Sequence, residues 1–392
     1  MALALIATAG ALASAFEVQR DIQGPIMPNS QAAGGKGPKS ILSQLYNQLS
    51  GTYEVFNGTE TIWQRPPADT PLKGILFFAH SCGHAAKDLW PRTESCPHCF
   101  GLPEEMNITL HSLLRGYAVV AVSSSNKHEN SCWHGLWGPR DEMLRRTNER
   151  SDWVKARAAL HHLIHREGWQ QVPLYALGVS SGGGFVLGLP MVMPGVFSGI
   201  ASVVTPAFPT HFQEYMRHYD VDQIETAWPP TALVHMARDA VLSGVFKLNM
   251  AELQELEIPA LEVPVYPQPL TPLYLAQRCV PEVDETGSMA IYAALQKGGF
   301  INAEGYLNAN PRLVTAWRDM IINAGIKAAG GGELRLGPEA SPISEELNLL
   351  YASNELTSEA LTDILDFFEK ALAATPVEDR AKGITGEYLE WV

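Results

Sequence analysis

Residues 173–184 read Pro-Leu-Tyr-Ala-Leu-Gly-Val-Ser-Ser-Gly-Gly-Gly, and the rest of the chain is best understood from them. Residues 173–178 are a short apolar run, the pattern of a strand buried on both faces. Gly178-Val179-Ser180-Ser181-Gly182 follows directly and fits G-x-S-x-G, with Gly183 and Gly184 prolonging the glycine run. A serine held at a sharp strand-to-helix turn must take backbone angles that few residues accept, so the positions two away must be small. Such a turn lifts the Ser180 hydroxyl above the sheet. The helix N-terminus behind it offers backbone N–H groups to a developing negative charge. The segment reads as an elbow that presents a nucleophile, not as an ordinary turn.

Working outward, four more short apolar runs have the buried-strand pattern: Gly74–Ala79, Tyr117–Val122, Gly199–Val204 and Thr231–Met236. Residues 51–56 and 59–64 alternate around Asn57-Gly58, a strong hairpin signal. Between the runs lie helical stretches. One spans 151–167, from an N-cap at Ser151 to Gly168, with Trp153, Val154, Leu160, Leu163 and Ile164 on its apolar face. Strands alternating with helices imply a mostly parallel sheet covered on both faces, one α/β domain over residues 51–375. Residues 241–340 depart from the alternation and read as a cap-like insertion, with a Pro-rich stretch at 264–269 and a Gly-rich break at 330–332. Residues 357–373 form a closing helix, and 376–392 an acidic tail.

With 46% hydrophobic and 18% charged residues among 392, the chain is neither disordered, coiled coil nor collagen-like. Its net charge of −14 includes −9 from residues 333–392, and no basic stripe exists. Nucleic acid and anionic membrane surfaces are therefore excluded as expected partners. Residues 2–16 are apolar with small residues at Ala13 and Ala15, which reads as a signal peptide over residues 1–15. The alternative is a buried N-terminal helix. Phe16 after the cleavage position also suits import into a complex plastid, so secretion and plastid targeting both stay open. Residues 16–50 read as a linker or transit-like segment, and no run reaches the length of a membrane span.

Four of the five cysteines, Cys82, Cys96, Cys99 and Cys132, fall within one short region. Two disulfides tying the strand-end loops together are expected, ahead of a four-cysteine zinc site or a redox C-x-x-C at Cys96 and Cys99. Three pairings are open. His161 and His165 stand at i, i+4 but lack the glutamate of a zinc helix, and are expected to be solvated.

The loop after residues 74–79, His80-Ser81-Cys82-Gly83-His84, stands where this architecture draws its second oxyanion donor, from Ser81 or Cys82. The first donor is the N–H of Ser181. Asp239, after residues 231–236, occupies the loop that presents an orienting acid. The strings Phe77-Phe78-Ala79-His80-Ser81-Cys82-Gly83-His84, Cys96 to Glu105, Cys132-Trp133, Leu177 to Gly183 and Val234 to Asp239 together resemble a plant and algal branch of the α/β-hydrolase superfamily. The resemblance implies an eight-stranded hydrolase sheet, Ser180 as nucleophile and Asp239 as acid. It supplies a mechanism class and no substrate. The reading of the chain itself is a serine esterase acting on a small-molecule carboxyl ester, preferred to a peptide because no extended cleft can be read, with no cofactor and no metal expected and the oligomeric state open.

The pattern then breaks. The third member of such a triad is a histidine late in the chain, yet no histidine follows His235. Asn354 stands at the expected position, and an amide cannot take the serine proton. The sequence leaves three readings: another histidine serves as base (His80 or His84, or His128 or His134), catalysis is weak, or the protein is a catalytically inactive α/β-hydrolase-like binding protein.

Overall fold

A computed structural model describes residues 45–126, 130–134, 152–208, 210–222, 228–337, 341–377, 380–381 and 383–384. The signal segment, most of the 16–50 linker, Ser151, His128 and the end of the acidic tail lie outside the described residues.

The described strands form one eight-stranded sheet: β1 (Thr52–Phe56), β2 (Thr59–Gln64), β3 (Gly74–Ala79), β4 (Tyr117–Val122), β5 (Leu174–Val179), β6 (Gly199–Val203), β7 (Thr231–Met236) and β8 (Ala260–Val265). Their spatial order is β1-β2-β4-β3-β5-β6-β7-β8. β1 and β2 are the expected hairpin, with positive φ at Asn57 and Gly58, as its two-residue turn requires. β2 runs antiparallel to β4, and all later pairings are parallel. Every residue of β3, β4, β5, β6 and β7 is buried, which is why these strands appear in the sequence as continuous apolar runs.

The helices are α1 (Pro103–Leu114), α2 (Asp152–Glu167), α3 (Ser181–Val192), α4 (His211–Asp222), α5 (Ala240–Glu255), α6 (Tyr274–Arg278), α7 (Glu285–Lys297), α8 (Ala316–Asn323), α9 (Pro342–Tyr351) and α10 (Leu361–Ala374). On one face of the sheet, Leu160 and Leu163 of α2, Phe185 and Leu187 of α3 and Phe246 of α5 pack against Ile75, Phe77 and Val120. On the other face, Met106 and Leu110 of α1 and Ile364, Leu365 and Phe368 of α10 cover Leu76, Phe78 and Val119. β3 lies between β4 and β5, so the chain leaves β3 in one direction and returns on its other side. The carboxyl ends of the strands at such a reversal are where sheets of this kind hold ligands.

The insertion expected at 241–340 starts later than the sequence suggests. α5 and β8 belong to the sheet layers, with β8 in register along the whole of β7 from Thr231↔Ala260 to Met236↔Val265. β8 is a half-buried edge strand carrying Glu262 and Pro264, and a proline is tolerated only on such an edge. Its pattern therefore lacks the apolar run that marks the other strands. Residues 266–337 make the excursion, whose own core of Leu275, Ile291, Leu295, Trp317 and Ile321 closes on Ile343, Leu347 and Leu350 of α9.

Phe368 stacks on Tyr175 at 5.1 Å between ring centroids and fills the space beside Gly199, where a Cβ would meet its ring at 2.6 Å. Phe368→Ala is expected to cost about 3–5 kcal/mol of unfolding free energy, read by urea titration.

Candidate active site

Ser180 sits between the end of β5 and the first residue of α3 with φ 52° and ψ −115°, outside every region favoured by L-residues. The glycines around it are there for space. A Cβ on Gly178 would run into the carbonyl of Gly182, and one on Gly182 would run into the carbonyls of Ala79 and His80 at the end of β3. A Cβ on Gly183 would lie 2.6 Å from Ser202 Oγ. The positive φ itself falls on the serine, not on a glycine. Its backbone is held from both sides: Ser180 N–H donates to Val203 O at 2.9 Å, and Thr205 Oγ1 donates to Ser180 O at 2.6 Å. A strained serine on a strand-to-helix corner, at the carboxyl edge of this eight-stranded sheet, decides the architecture. This is the α/β-hydrolase fold.

Three N–H groups converge on that edge without a backbone acceptor among the described residues. They are Ser181, at the first position of α3, and Ser81 and Cys82, after β3. The Cys82–Cys132 disulfide and a hydrogen bond from Gly83 N–H to Asn130 O fasten the Ser81–Gly83 loop to the loop after β4. One disulfide thus ties the two strand-end loops, as expected, while the second, Cys96–Cys99, closes only its own turn ahead of α1. Both bonds engage the four sulfurs that a four-cysteine zinc site would use. Cys279 is free and buried.

The histidines offered by the loop after β3 are both committed elsewhere. His80 Nε2 accepts the N–H of Ser124 at 2.9 Å, and Nδ1 donates to Ser81 O at 2.7 Å. Burial lowers its pKa to about 4, so the ring is neutral and has no free lone pair for a serine proton. His84 lies 3.2 Å from Glu105 Oε1 and 3.4 Å from Asp88 Oδ2. Burial alone would lower its pKa, but these two carboxylates raise it well above the usual value, and an imidazolium cannot accept a proton. Among the described residues neither is hydrogen-bonded to Ser180. Both had the right address in the sequence and the wrong surroundings in space.

Asp239 follows β7 as anticipated and caps α5, its Oδ1 accepting the N–H of Leu242 at 3.2 Å. Arg238 N–H donates to Ala352 O at 3.1 Å, which brings the Asp239 loop against the turn containing Asn354. Asn354 is exposed with a φ of 48°, and its carbonyl accepts from Arg312 Nη2 at 3.1 Å. Among the described residues, no hydrogen bond joins Asp239 to Asn354.

One pair was not foreseen. Asp152, the first residue of α2, has a buried carboxylate that accepts from Ser125 N–H at 2.8 Å, Ser125 Oγ at 2.7 Å, His134 N–H at 3.0 Å and His134 Nδ1 at 3.0 Å. Burial works to raise the Asp152 pKa, yet these donors win and hold it below the usual carboxylate range. His134 was one of several candidate histidines, but nothing in the sequence marked Asp152 beyond its place at a helix start. Trp133, the preceding residue, donates its N–H to Ser181 Oγ at 3.2 Å and stacks its ring on Phe185 at 4.3 Å. The segment 130–134 therefore crosses the elbow. His161 and His165 lie on α2 with ring centroids 4.2 Å apart, and among the described residues no cluster suited to a metal ion occurs.

No family model matches the chain, and no curated protein sequence matches it. Among solved structures, a thermostable esterase shares 13% identity over 57% of this chain and 56% of that chain, with a TM-score of 0.36. Dienelactone hydrolase from Anabaena variabilis shares 17% over 56% and 87%, with a TM-score of 0.35. A soluble variant of monoglyceride lipase from Saccharomyces cerevisiae shares 12% over 62% and 89%, with a TM-score of 0.34. The chain thus spans 56% of the length of the thermostable esterase. Strand order and elbow, not these likenesses, establish the fold.

The His84 ion pairs belong to a buried acidic cluster that continues to Glu345 on α9. Burial raises the Glu345 pKa well above the usual value, and the charge of Glu105 adds to the shift. A carboxyl group that holds its proton more tightly when folded contributes stability that is present below its unfolded pKa and lost as pH rises through the folded one. His84 has a raised pKa too, so its contribution is lost in the same direction. Thermal unfolding should therefore show Tm falling from neutral to alkaline pH. Glu345→Gln should raise Tm at pH 8 and leave it unchanged near pH 4.

Proposed function

We propose that the protein is a serine hydrolase that cleaves a carboxyl ester of a small molecule. The strained corner at Ser180 carries the reading. A backbone cost of about 1–3 kcal/mol at one residue is retained where it sets up chemistry, and here it falls on a serine next to the Ser181 N–H, which like those of Ser81 and Cys82 has no backbone acceptor among the described residues. Ser180 attacks the acyl carbon, and the N–H groups of Ser181 and of Ser81 or Cys82 receive the negative charge that develops on the carbonyl oxygen. Asp239 keeps the place of an orienting acid, but among the described residues no hydrogen bond joins it to an imidazole. No cofactor enters this reaction.

A carboxyl ester fits better than a peptide because nothing in the chain reads as an extended cleft for a polypeptide. Two disulfides suit an oxidising compartment, which favours the secretory route read from residues 1–15, with secretion or delivery to a complex plastid as its end points. No helix of the described residues is long and apolar enough to cross a membrane.

A second reading has its own observation. Asn354 stands where the triad imidazole is expected, and an elbow without a base suits a catalytically inactive binding protein of the same fold. A fluorophosphonate probe separates the two. Covalent labelling that disappears in Ser180→Ala is the expected result, with ester turnover lost by at least about a hundredfold in the same variant. A protein that folds and stays unlabelled is a binder.

A further inference from the structure

We infer that the missing base is supplied from the other side of the nucleophile, by His134 held in place by Asp152. This rests on Ser180 being the nucleophile. It assigns the general base to the loop after β4, where the conventional triad would place it after the last strand.

A base for Ser180 needs an imidazole with a free lone pair, a partner that fixes its tautomer, and a position at the elbow. His134 meets the first two requirements through one contact. Its Nδ1 lies 3.0 Å from Asp152 Oδ2, and a carboxylate oxygen accepts, so Nδ1 is the donor and in the neutral ring the lone pair falls on Nε2. Among the described residues Nε2 has no partner, and the side chain is 61% exposed while Asp152 is buried beneath it. Asp152 is itself immobilised, since its carboxylate also accepts from Ser124 Oγ, Ser125 N–H and Oγ and the His134 N–H. It therefore acts as a positioning residue.

Location comes from the neighbouring bonds. Trp133 N–H reaches Ser181 Oγ, and Ser181 adjoins the nucleophile. The Trp133 ring is wedged against Phe185 one turn further along α3. Cys132 is bonded to Cys82 of the oxyanion loop. The backbone on which His134 stands is thus pinned to both halves of the oxyanion site. His80 has both ring nitrogens hydrogen-bonded, and His84 Nδ1 faces the Glu105 and Asp88 carboxylates. The assignment requires His134 Nε2 to reach the Ser180 hydroxyl directly or through one water.

The steps balance without another reagent. As Ser180 Oγ bonds to the acyl carbon, its proton passes to His134 Nε2 and the carbonyl π pair moves onto the oxygen. Collapse breaks the bond to the alcohol oxygen, which leaves with the proton from His134. Water then bonds to the acyl carbon and gives a proton to His134. The bond to Ser180 breaks, Oγ takes that proton back, and the carboxylic acid is released.

The test uses the full chain with p-nitrophenyl butyrate and a fluorophosphonate probe. His134→Gln should lower kcat/KM by about a hundredfold or more, the usual contribution of a general base. His134→Gly should lose as much and recover at least about tenfold on adding imidazole, a rescue that a purely structural role would not give. Asp152→Asn should fall comparably, and the double variant with His134→Gln should fall no further, because residues acting as a unit are not additive. His134→Gln changes an exposed side chain and keeps the fold even if Asp152→Asn does not. Ser180-dependent turnover that stays within threefold of wild type in His134→Gln overturns this inference and leaves the hydrolase reading standing. Wild-type protein without Ser180-dependent labelling or turnover overturns both.

Discussion

The close approach of α3 to the end of β3 is the constraint on which the site depends. Pairing of β3 with β5, in register from Ile75↔Leu174 to Ala79↔Gly178, brings the Ala79 and His80 carbonyls against Gly182. With no room for a Cβ there, α3 can begin only if the chain turns within one residue, and the turn falls on Ser180. The unfavourable angles of that serine are offset by the Val203 and Thr205 hydrogen bonds from the next strand and its loop. One register thus sets the position of the hydroxyl, the direction of α3 and the spacing between the Ser181 N–H and the loop after β3. Shifting β5 by a single residue would turn its side chains to the opposite faces and destroy all three.

A second set of forces holds the opposite wall. Glu104 and Glu105 open α1 in the interior, where the first turn of a helix favours negative charge. Glu104 pairs with Arg278 at 3.1 Å, and Arg278 also binds Glu359 at 2.8 Å. Glu355 pairs with Arg312 at 2.7 Å and accepts from Asn348 at 3.0 Å. Through these contacts the excursion, α9 and the turn at Asn354 are fixed to the oxyanion side, where His84 bridges Asp88 and Glu105. Desolvation makes such a network a weak source of net stability. Removing one partner is nevertheless costly, because a buried charge is left without a counterpart. The Phe100-Gly101-Leu102-Pro103-Glu104-Glu105 string, a hallmark of the family resemblance, is therefore accounted for by this architecture.

Much of this was legible in the chain because each signal was local. A parallel strand buried on both faces is written as an uninterrupted apolar run, which located β3 to β7. Asn57-Gly58 announced its hairpin, and the glycine spacing around Ser180 announced the elbow. β8 escaped because an edge strand needs neither an apolar run nor freedom from proline. The errors at the site have a different origin. His80 and His84 looked like candidate bases until Ser124 and Glu105, distant in sequence, were seen to occupy them. Asp152 looked like an ordinary helix-start acid until folding buried it beneath His134. Protonation state is a property of neighbours, and neighbours 18 to 44 positions away are not written in local spacing.

The absence of histidine after His235 therefore says less about catalysis than chain order suggests. Acyl transfer asks for a lone pair near the hydroxyl and an acid that keeps the imidazole in the right tautomer. It does not ask which strand delivers them, and the same constellation recurs in unrelated chain orders. At this sheet edge the acid after β7 stands beside an asparagine, while the acid at the start of α2 already carries a histidine at hydrogen-bonding distance. Asp239 spends its carboxylate on a helix cap, a use that needs no imidazole. The Asp152 carboxylate accepts from Ser124 Oγ, Ser125 N–H and Oγ, and His134 N–H and Nδ1, five donors on the segments that cross the elbow. The electrostatic investment lies on the β4 side of the nucleophile, and that asymmetry is the strongest argument that proton transfer has moved there.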